Sequence, residues 1–252
     1  MNKKIIGAVL LGLTCLPLVG TAQQEEEEQS YIYATYMYCD VTRQEEADKI
    51  VETVDKPVMD GLVANGTITG WGWLAHHTGG KWRRIRYHTA GSMGDLLGAL
   101  DKIGDAMEQA AGDDNTLGQI CNQHDDYIWH SLAGSEGETL DSDRGKAGLS
   151  VYHVCNMADE GRADEIVKTV FAPIYDAHVG PGQLKSWGWS EHIVGGKYRR
   201  LATMTADDWP TLLKVRGEIF DAMDEADNPL ADEFSEICGS HSDYLWEIQH
   251  EG

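Results

Sequence analysis

The sequence predicts an α+β fold made of two copies of one β-α-β-β-α-β unit. Three observations lead to this prediction. Residues 36–107 align with residues 152–223 at a constant offset of 116 residues and without a gap. Apolar residues in both copies change between strand-like and helix-like spacing in the same order. Each copy also carries a Gly-Gly pair and two cysteines at matching places. A repeat this long indicates duplicated domains, because solenoid repeats span roughly 20–50 residues.

Each copy begins with a strand and continues into a helix. Residues 31–39 and 150–155 are rich in aromatic and β-branched side chains, as strands are. In the first copy, Thr42 and Glu45 have the spacing of a capping box, which predicts a helix start.

Pro57 and Pro173 occupy matching places in this helix, so we expect the helix to kink or restart there. A hairpin follows. Gly79-Gly80, and Gly195-Gly196 in the second copy, separate two strand-like runs, and tight hairpins need residues that accept positive φ. A second helix, a short third helical segment and a last strand with an Asp-Tyr-x-Trp run complete each copy.

Such a unit forms a sheet with helices on one face, and its other face must be covered. Two copies in one chain can cover each other, sheet to sheet. This arrangement resembles the dimeric α/β-barrel superfamily, here fused in tandem as a pseudo-dimer of ferredoxin-like repeats. The superfamily includes antibiotic-biosynthesis monooxygenases, haem-degrading enzymes, chlorite dismutase-like proteins and small cyclases or isomerases. The resemblance implies a barrel and a small-molecule ligand, and it brings no catalytic residue with it.

The chain divides into five predicted segments. Residues 1–22 have the lysines, apolar run and small final residues of a signal peptide, and residues 23–29 form an acidic, disordered leader. The repeats cover residues 30–132 and 149–252, and a linker rich in Gly, Ser and charge covers residues 133–148. We expect a soluble protein of the periplasm or cell exterior, without membrane insertion after signal cleavage, that is a monomer or homodimer. The formal charge of -22 argues against nucleic acid as a partner.

The cysteines predict two disulfides. Cys39 ends the first strand and Cys121 precedes the last, and Cys155 and Cys238 repeat this placement. The first and last strands of the unit are antiparallel neighbours, so these ends meet, and an oxidising compartment favours Cys39–Cys121 and Cys155–Cys238. A four-thiolate metal site is disfavoured because the sequence has no C-x-x-C spacing. We predict no metal site.

A block of Trp, Gly, His and Arg residues recurs in both hairpins. Alternation along a strand puts Trp71 and Trp73 on one face and His76 on the other. In one interpretation the tryptophans line a barrel cavity and bind a flat ligand, while a His or Arg contacts its polar group. In the alternative they pack beneath the helices. The candidate ligand-binding residues are Trp71, Trp73, His76, Arg84, Trp187, Trp189, His192 and Arg200.

Two His-Asp pairs are the candidate catalytic residues. His124 and Asp126, repeated as His241 and Asp243, are two residues apart and share one face of a strand. A carboxylate beside an imidazole can orient it and raise its basicity, as a general base requires. Alternatively, the pair satisfies loop amides at the strand entrance.

These features favour a protein that binds a small aromatic or hydrophobic molecule in a barrel cavity, with cofactor-independent oxygenase or isomerase chemistry as its possible extension. One alternative is a non-catalytic structural or interaction module with a filled barrel core. Another is haem binding by one repeat, because His88 stands where the second copy has Met204. We predict no other cofactor.

Overall fold

The computed structural model of the chain describes residues 30–135 and 144–252. The predicted signal peptide, the acidic leader and the middle of the predicted linker lie outside these residues. Within the described residues, no helix is long and apolar enough to cross a membrane. We call residues 30–132 the first half and residues 149–252 the second half.

The two halves have the same order of elements. The first half and the residues that follow it contain β1 (Tyr31–Tyr38), α1 (Gln44–Ile50), a π-helical turn (Val51–Asp55), α2 (Lys56–Ala64), β2 (Gly70–Gly79), β3 (Arg84–Ala90), α3 (Met93–Ala111), α4 (Thr116–Ile120) and β4 (Gln123–Gly134). The second set contains β5 (Ala147–Val154), α5 (Glu160–Ile166), a π-helical turn (Val167–Phe171), α6 (Ala172–Asp176), β6 (Leu184–Val194), β7 (Arg200–Ala206), α7 (Trp209–Ala226), α8 (Pro229–Ile237) and β8 (Ser240–Glu251).

The first helix of each half restarts at its proline through a π-helical turn. Pro57 and Pro173 lie in the first turn of α2 and α6, directly after that turn. Proline lacks an N–H group and its ring clashes with the carbonyl four residues earlier, so the wider turn accommodates it. The predicted capping box is absent. The Thr42 hydroxyl instead donates to Asp40 Oδ1 at 2.7 Å, and α1 begins after Arg43 without a side-chain cap.

The strands form a closed antiparallel barrel in the order β1-β3-β2-β8-β5-β7-β6-β4. The halves are joined by hydrogen-bonded pairing of β2 with β8 and of β4 with β6. The α+β barrel predicted from the sequence is therefore confirmed. The two sheets meet at their edges as well as their faces, which leaves no open edge strand in the barrel.

The barrel interior is a packed aromatic core. An eight-stranded barrel has an interior just wide enough for side chains to fill. Tyr127 stacks on Trp129 with ring centroids 5.0 Å apart, and Tyr244 stacks on Trp246 at 5.2 Å. The aromatic residues of this core are Tyr36, Trp82, Tyr127, Trp129, Tyr152, Tyr198, Tyr244 and Trp246.

The Gly-Gly hairpins are held against the opposite half. A Cβ atom on Gly80 would collide with the Tyr244 ring, and one on Gly196 with the Tyr127 ring. Close approach across the barrel therefore requires glycine at these turns.

Both predicted disulfides are confirmed. Cys39 is bonded to Cys121 and Cys155 to Cys238, with 82 and 83 residues of sequence separation. Each bond ties the end of the first strand of a half to the start of its last strand.

Candidate functional site

The tryptophans of the recurring block lie between the sheet and the helices. Trp71 and Trp73 are buried among residues of α1, α2 and α3. The Trp71 indole N–H donates to Asp60 at 3.0 Å, and that of Trp73 donates to Asp48 at 2.9 Å. The interpretation that they line the barrel interior is therefore corrected: alternation turns them outward, where the helices cover them.

The second half repeats this arrangement. Trp187 donates to Asp176 at 2.7 Å, and Trp189 donates to Asp164 at 2.8 Å. Both rings pack in the apolar layer beneath α7. Each tryptophan therefore satisfies its N–H group with a carboxylate from one of the first two helices of its half, as a buried indole requires.

Arg84 and Arg200 also connect the sheet to the first helix. The Arg84 guanidinium holds Asp48 through two hydrogen bonds of 2.6 Å each, and Arg200 holds Asp164 at 2.7 and 2.6 Å. Both arginines are almost completely buried. Their proposed role as ligand contacts is corrected, because these carboxylates occupy the fork of donors that a ligand would need.

His76 and His192 lie on opposite sides of the barrel and contact its aromatic core. The Nδ1 atom of His76 is 2.9 Å from Arg83 Nη1, and that of His192 is 2.7 Å from Arg199 Nη1. Burial, followed by the neighbouring arginine, lowers the pKa of both imidazoles. A neutral ring accepting from an arginine is consistent with this pKa shift.

A cavity of about 680 Å³ lies between the outer face of the sheet and the helices of the first half. This volume lies within the range of small-molecule sites, about 300–1,000 Å³. Strands β1, β3 and β4 provide the floor, while α1, the π-helical turn, α3 and α4 provide the walls. The floor residues are Tyr33, Thr35, Met37, Arg86, His124 and Asp126.

Strand pairing places three of these floor residues in one row. Thr35 is the partner of Arg86 on β3 and of Asp126 on β4. Directly opposed Cβ atoms in an antiparallel pair are about 5 Å apart, so those of Arg86 and Asp126 are about 10 Å apart. A positive and a negative group therefore face each other across the Thr35 hydroxyl.

Arg86 joins the floor to the wall of the cavity. Its Nη1 atom is 3.2 Å from Oδ2 of Asp55, the last residue of the π-helical turn. Asp55 is only 4% exposed. Burial raises the pKa of the Asp55 carboxyl, and the Arg86 guanidinium opposes that rise. Burying a carboxylate with only one cationic partner costs desolvation free energy that a single ion pair does not fully offset. This pair is therefore a candidate functional feature.

The structure brings the predicted pair His124 and Asp126 together at the mouth of this cavity. His124 Nδ1 is 3.0 Å from Asp126 Oδ2. The other oxygen, Oδ1, is enclosed and has no hydrogen-bond partner of normal geometry among the described residues. Burial, followed by the charge of Asp126 and a side-chain hydrogen bond to this carboxylate, raises the pKa of the Tyr33 phenol, and Arg86 opposes the rise. Tyr33 therefore lies within the electrostatic reach of both groups.

His241 and Asp243 form the same contact in the second half, with Nδ1 and Oδ1 2.5 Å apart. Their surroundings differ. Arg216 on α7 also reaches Asp243, with Nη2 3.2 Å from Oδ2. Where the first half has Asp55 and Leu117, the second has Phe171 and Phe234, whose rings pack edge to face at 5.1 Å.

Three positions of the floor are also apolar in the second half. Leu149, Val151 and Ala202 stand where the first half has Tyr33, Thr35 and Arg86, as the equivalent strand registers show. The sequence interpretation did not identify Tyr33, Thr35, Asp55 or Arg86 as site residues. It selected residues that are identical in the two copies, whereas these four positions carry different residues in the two copies.

The haem alternative named His88, which packs against α3 in the structure. His88 is buried, its ring stacks on Tyr33 at 5.5 Å, and its Nε2 atom points to the Leu96 carbonyl at 3.4 Å. It therefore does not present a nitrogen to the cavity. Within the described ranges, no cluster of three or more His, Cys, Asp or Glu side chains could hold a metal ion.

Comparison with known proteins identifies the fold. No protein-family model and no curated protein matches the sequence. Among solved structures, a candidate monooxygenase from Lactobacillus acidophilus has 11% identity, a TM-score of 0.56, and coverage of 89% of this chain and 96% of that one. An anthrone oxidase-like protein has 12% identity, a TM-score of 0.54, and coverage of 90% and 94%. A candidate monooxygenase from Fusobacterium nucleatum has 7% identity, a TM-score of 0.58, and coverage of 88% and 93%. The chain therefore has the dimeric α/β-barrel fold, as the element order indicated.

Proposed function

We propose that this protein binds a small, mainly apolar organic molecule in the cavity of its first half. The observation that carries this proposal is an asymmetry between equivalent places in the two halves: the layer between sheet and helices holds a cavity with a polar floor in the first half, and apolar side chains fill the matching place in the second. The barrel interior is filled, so the binding site differs from the one that the sequence suggested.

The cavity lining defines the ligand. Met37, Ile50, Val54, Leu100 and Met107 supply apolar surface, and the Asp126–Thr35–Arg86 row supplies polar contacts. This combination suits a molecule with an apolar body and one or two polar groups. Four further acidic side chains line the cavity besides Asp126, so electrostatic repulsion disfavours anionic ligands. These are Asp55, Glu108, Asp113 and Asp114.

We propose further that the His124–Asp126 pair makes the cavity a catalytic site of the cofactor-independent isomerase or oxygenase type. Structural relatives named as a monooxygenase and as anthrone oxidase-like fit a small-molecule enzyme of this fold. A second candidate function is a non-catalytic structural or interaction module, which the filled barrel core supports. A test of ligand binding distinguishes this module from a small-molecule enzyme.

We also propose a domain organisation and a cellular location for the protein. We propose two ferredoxin-like repeats, residues 30–132 and 149–252, joined by a linker at residues 133–148. We also propose export directed by residues 1–22, supported by the two disulfides, which persist in oxidising compartments.

Binding is tested with a panel of neutral aromatic and aliphatic fragments, and saturation-transfer NMR detects which of them bind. The variant Leu100→Trp fills the cavity from α3. The variant Leu213→Trp is its control, because Leu213 is exposed on the matching helix α7. We expect at least one fragment to bind, and its affinity to fall by about tenfold or more in Leu100→Trp alone. Failure of every fragment to bind, or equal binding by both variants, would contradict the proposal.

A further inference from the structure

We propose that the ligand of the first-half cavity is an organic amine in its cationic form, bound with its ammonium group at the edge of the cavity and its apolar body inside. This inference rests on the proposed function, since it names the ligand class of the same cavity. Three features of the cavity lining carry it: exposed carboxylates at one edge, the end of α3, and the position of Arg86 in the floor.

Three exposed carboxylates contribute to the cavity lining. They belong to Glu108, Asp113 and Asp114, which we call the acidic rim. Glu108 lies in the last turn of α3, and the two aspartates follow this helix. Among the described residues that line the cavity, Arg86 is the one lysine or arginine, and it pairs with Asp55. The acidic rim therefore carries negative charge that the lining does not balance, and this charge attracts a cation.

The carboxylate of Asp114 is fixed in position and in its charged form. Its Oδ1 atom accepts hydrogen bonds from the hydroxyl and the backbone N–H of Thr116, the latter at 2.8 Å. These two bonds, the hydroxyl first, lower the pKa of the Asp114 carboxyl. Because Thr116 is the first residue of α4, this short helix holds an ionised carboxylate at the acidic rim.

The backbone of α3 adds to the negative potential at the acidic rim. The cavity lining includes the last residues of α3, which ends at Ala111, and the following Gly112. The C-terminal end of a helix carries a partial negative charge, because its last carbonyl groups lack partners within the helix. The last turn of α3, which the structure describes in full, contains no basic side chain. A bound ammonium group would supply the cation that stabilises such a helix end.

Arg86 determines the orientation of the ligand. It lies in the floor of the cavity, and its guanidinium is 29% exposed and donates from Nη1 to Asp55. Like charges repel, so the ammonium group binds at the acidic rim and not at this floor position. Met37, Leu100 and Met107 supply apolar surface to the same cavity. The apolar body of the amine therefore points inward, where it buries apolar area.

The second half provides a matched set of charges in different surroundings. Its helix α7 also ends with exposed acidic residues, Asp224 and Glu225. In that half, however, the rings of Phe171 and Phe234 pack edge to face at 5.1 Å. Removing two charges from α7 changes the net charge of the protein as much as removing two from the acidic rim, but leaves the cavity lining intact.

The test compares three ligands that share one apolar body: 3-phenylpropylamine, 3-phenylpropanol and 3-phenylpropanoate. Calorimetric titration of the full chain at neutral pH and low ionic strength gives a dissociation constant for each. We expect the amine to bind about tenfold more tightly than the alcohol, and the carboxylate to bind most weakly. The advantage of the amine over the alcohol should decrease at high ionic strength, because salt screens exposed charges.

Two double variants locate the charge effect. Glu108→Gln with Asp113→Asn removes two charges from the acidic rim, and Asp224→Asn with Glu225→Gln removes two from the end of α7. We expect the first double variant to reduce the advantage of the amine to about threefold or less without weakening the alcohol. The second should retain the advantage. Circular dichroism of each variant checks that the fold is retained.

Several outcomes would overturn the inference and leave the proposed function standing. One is binding of the alcohol as tight as that of the amine. Another is an equal loss in both double variants, because the amine would then respond to the net charge of the protein and not to the acidic rim. A third is amine binding that survives in Leu100→Trp, which would place the amine outside the cavity.

Failure to bind is informative as well. If all three ligands fail while other fragments of the panel bind, the inference is overturned and the proposed function stands. If the three ligands and the whole panel fail, the proposed function is overturned with it.

Discussion

The first and second halves share the groups that join sheet to helix and differ in what lies beneath those helices. Arg84 and Arg200 hold the first helix of their half through a carboxylate in nearly identical geometry. The fold makes the same demands on both halves, so these two shared ion pairs are explained by folding.

Differences between the halves carry the functional information. Asp55, which is buried, and Arg86, which is partly exposed, form an ion pair beside the cavity, and their counterparts, Phe171 and Ala202, are apolar. A buried ion pair is often less stabilising than apolar residues of similar volume. Its presence beside the cavity of the first half, and its replacement by packed apolar residues at the matching place in the second, indicate a requirement other than stability.

The largest expected effect is the loss of stability on removal of the arginines that both halves share. Arg84→Met and Arg200→Met each leave a buried carboxylate without its partner, so we expect each to reduce the free energy of unfolding by about 3–5 kcal/mol. The loss at Arg200 should be at least as large, because Glu160 also contacts it at 3.1 Å. Urea denaturation measures both.

Arg43→Met is the control for this experiment. Arg43 pairs with Glu46 at 2.8 Å on the surface, where solvent and salt screen ion pairs and their contribution to stability is small. A loss at Arg84 no larger than the loss at Arg43 would show that the buried pair does not hold the sheet to the helix.

Much of the fold could be predicted from the sequence because its signals are local or periodic. Offset alignment revealed the repeat, Gly-Gly marked the hairpins, and strand adjacency in the unit predicted Cys39–Cys121 and Cys155–Cys238. The orientation of Trp71 and Trp73 could not be predicted. Alternation assigns side chains to faces, but in this barrel both faces of the sheet are buried, one by the aromatic core and one by helices.

The candidate site was only half predictable. His124 and Asp126 are two residues apart, so strand alternation alone placed them together. Arg86 and Asp55 are distant in sequence from them, and only the pairing of β1 with β3 and β4 and the docking of the π-helical turn bring these groups to one cavity. No spacing rule in a single sequence encodes such a contact.

The second prediction concerns a double variant that gives the first half two residues of the second. Asp55→Phe combined with Arg86→Ala gives the first half the residues of the second, and replacing a buried ion pair with packed apolar groups should stabilise the fold by about 1–4 kcal/mol. Fragment binding should be lost at the same time. Thermal unfolding and the NMR panel measure the two effects in one preparation.

Arg86→Ala alone separates charge from packing in this conversion. It leaves Asp55 buried without a cation, so it should destabilise the protein, in contrast to the double variant. A double variant that is less stable than the unmodified protein would mean that the two halves differ in more than these residues.

The smallest predicted effect tests whether the halves respond alike to acid. Each half has one buried histidine where the other has methionine: His88 opposite Met204, and His153 opposite Met37. Burial lowers the pKa of each imidazole from 6.5 to about 4.

The folded pKa lies below the unfolded one, so the stabilisation from each neutral ring is present above pH 6.5 and is lost as the pH falls toward 4. Between pH 7 and pH 5 this amounts to roughly 2 kcal/mol for each histidine. His88→Met and His153→Met should each flatten the pH dependence of urea unfolding by that amount, and the double variant by their sum, because the rings lie in different halves. His88→Met could leave the slope of unfolding free energy against pH unchanged while His153→Met reduces it. His88 would then take up its proton in the folded state. An open cavity beside Tyr33 would allow this, whereas a packed layer would not.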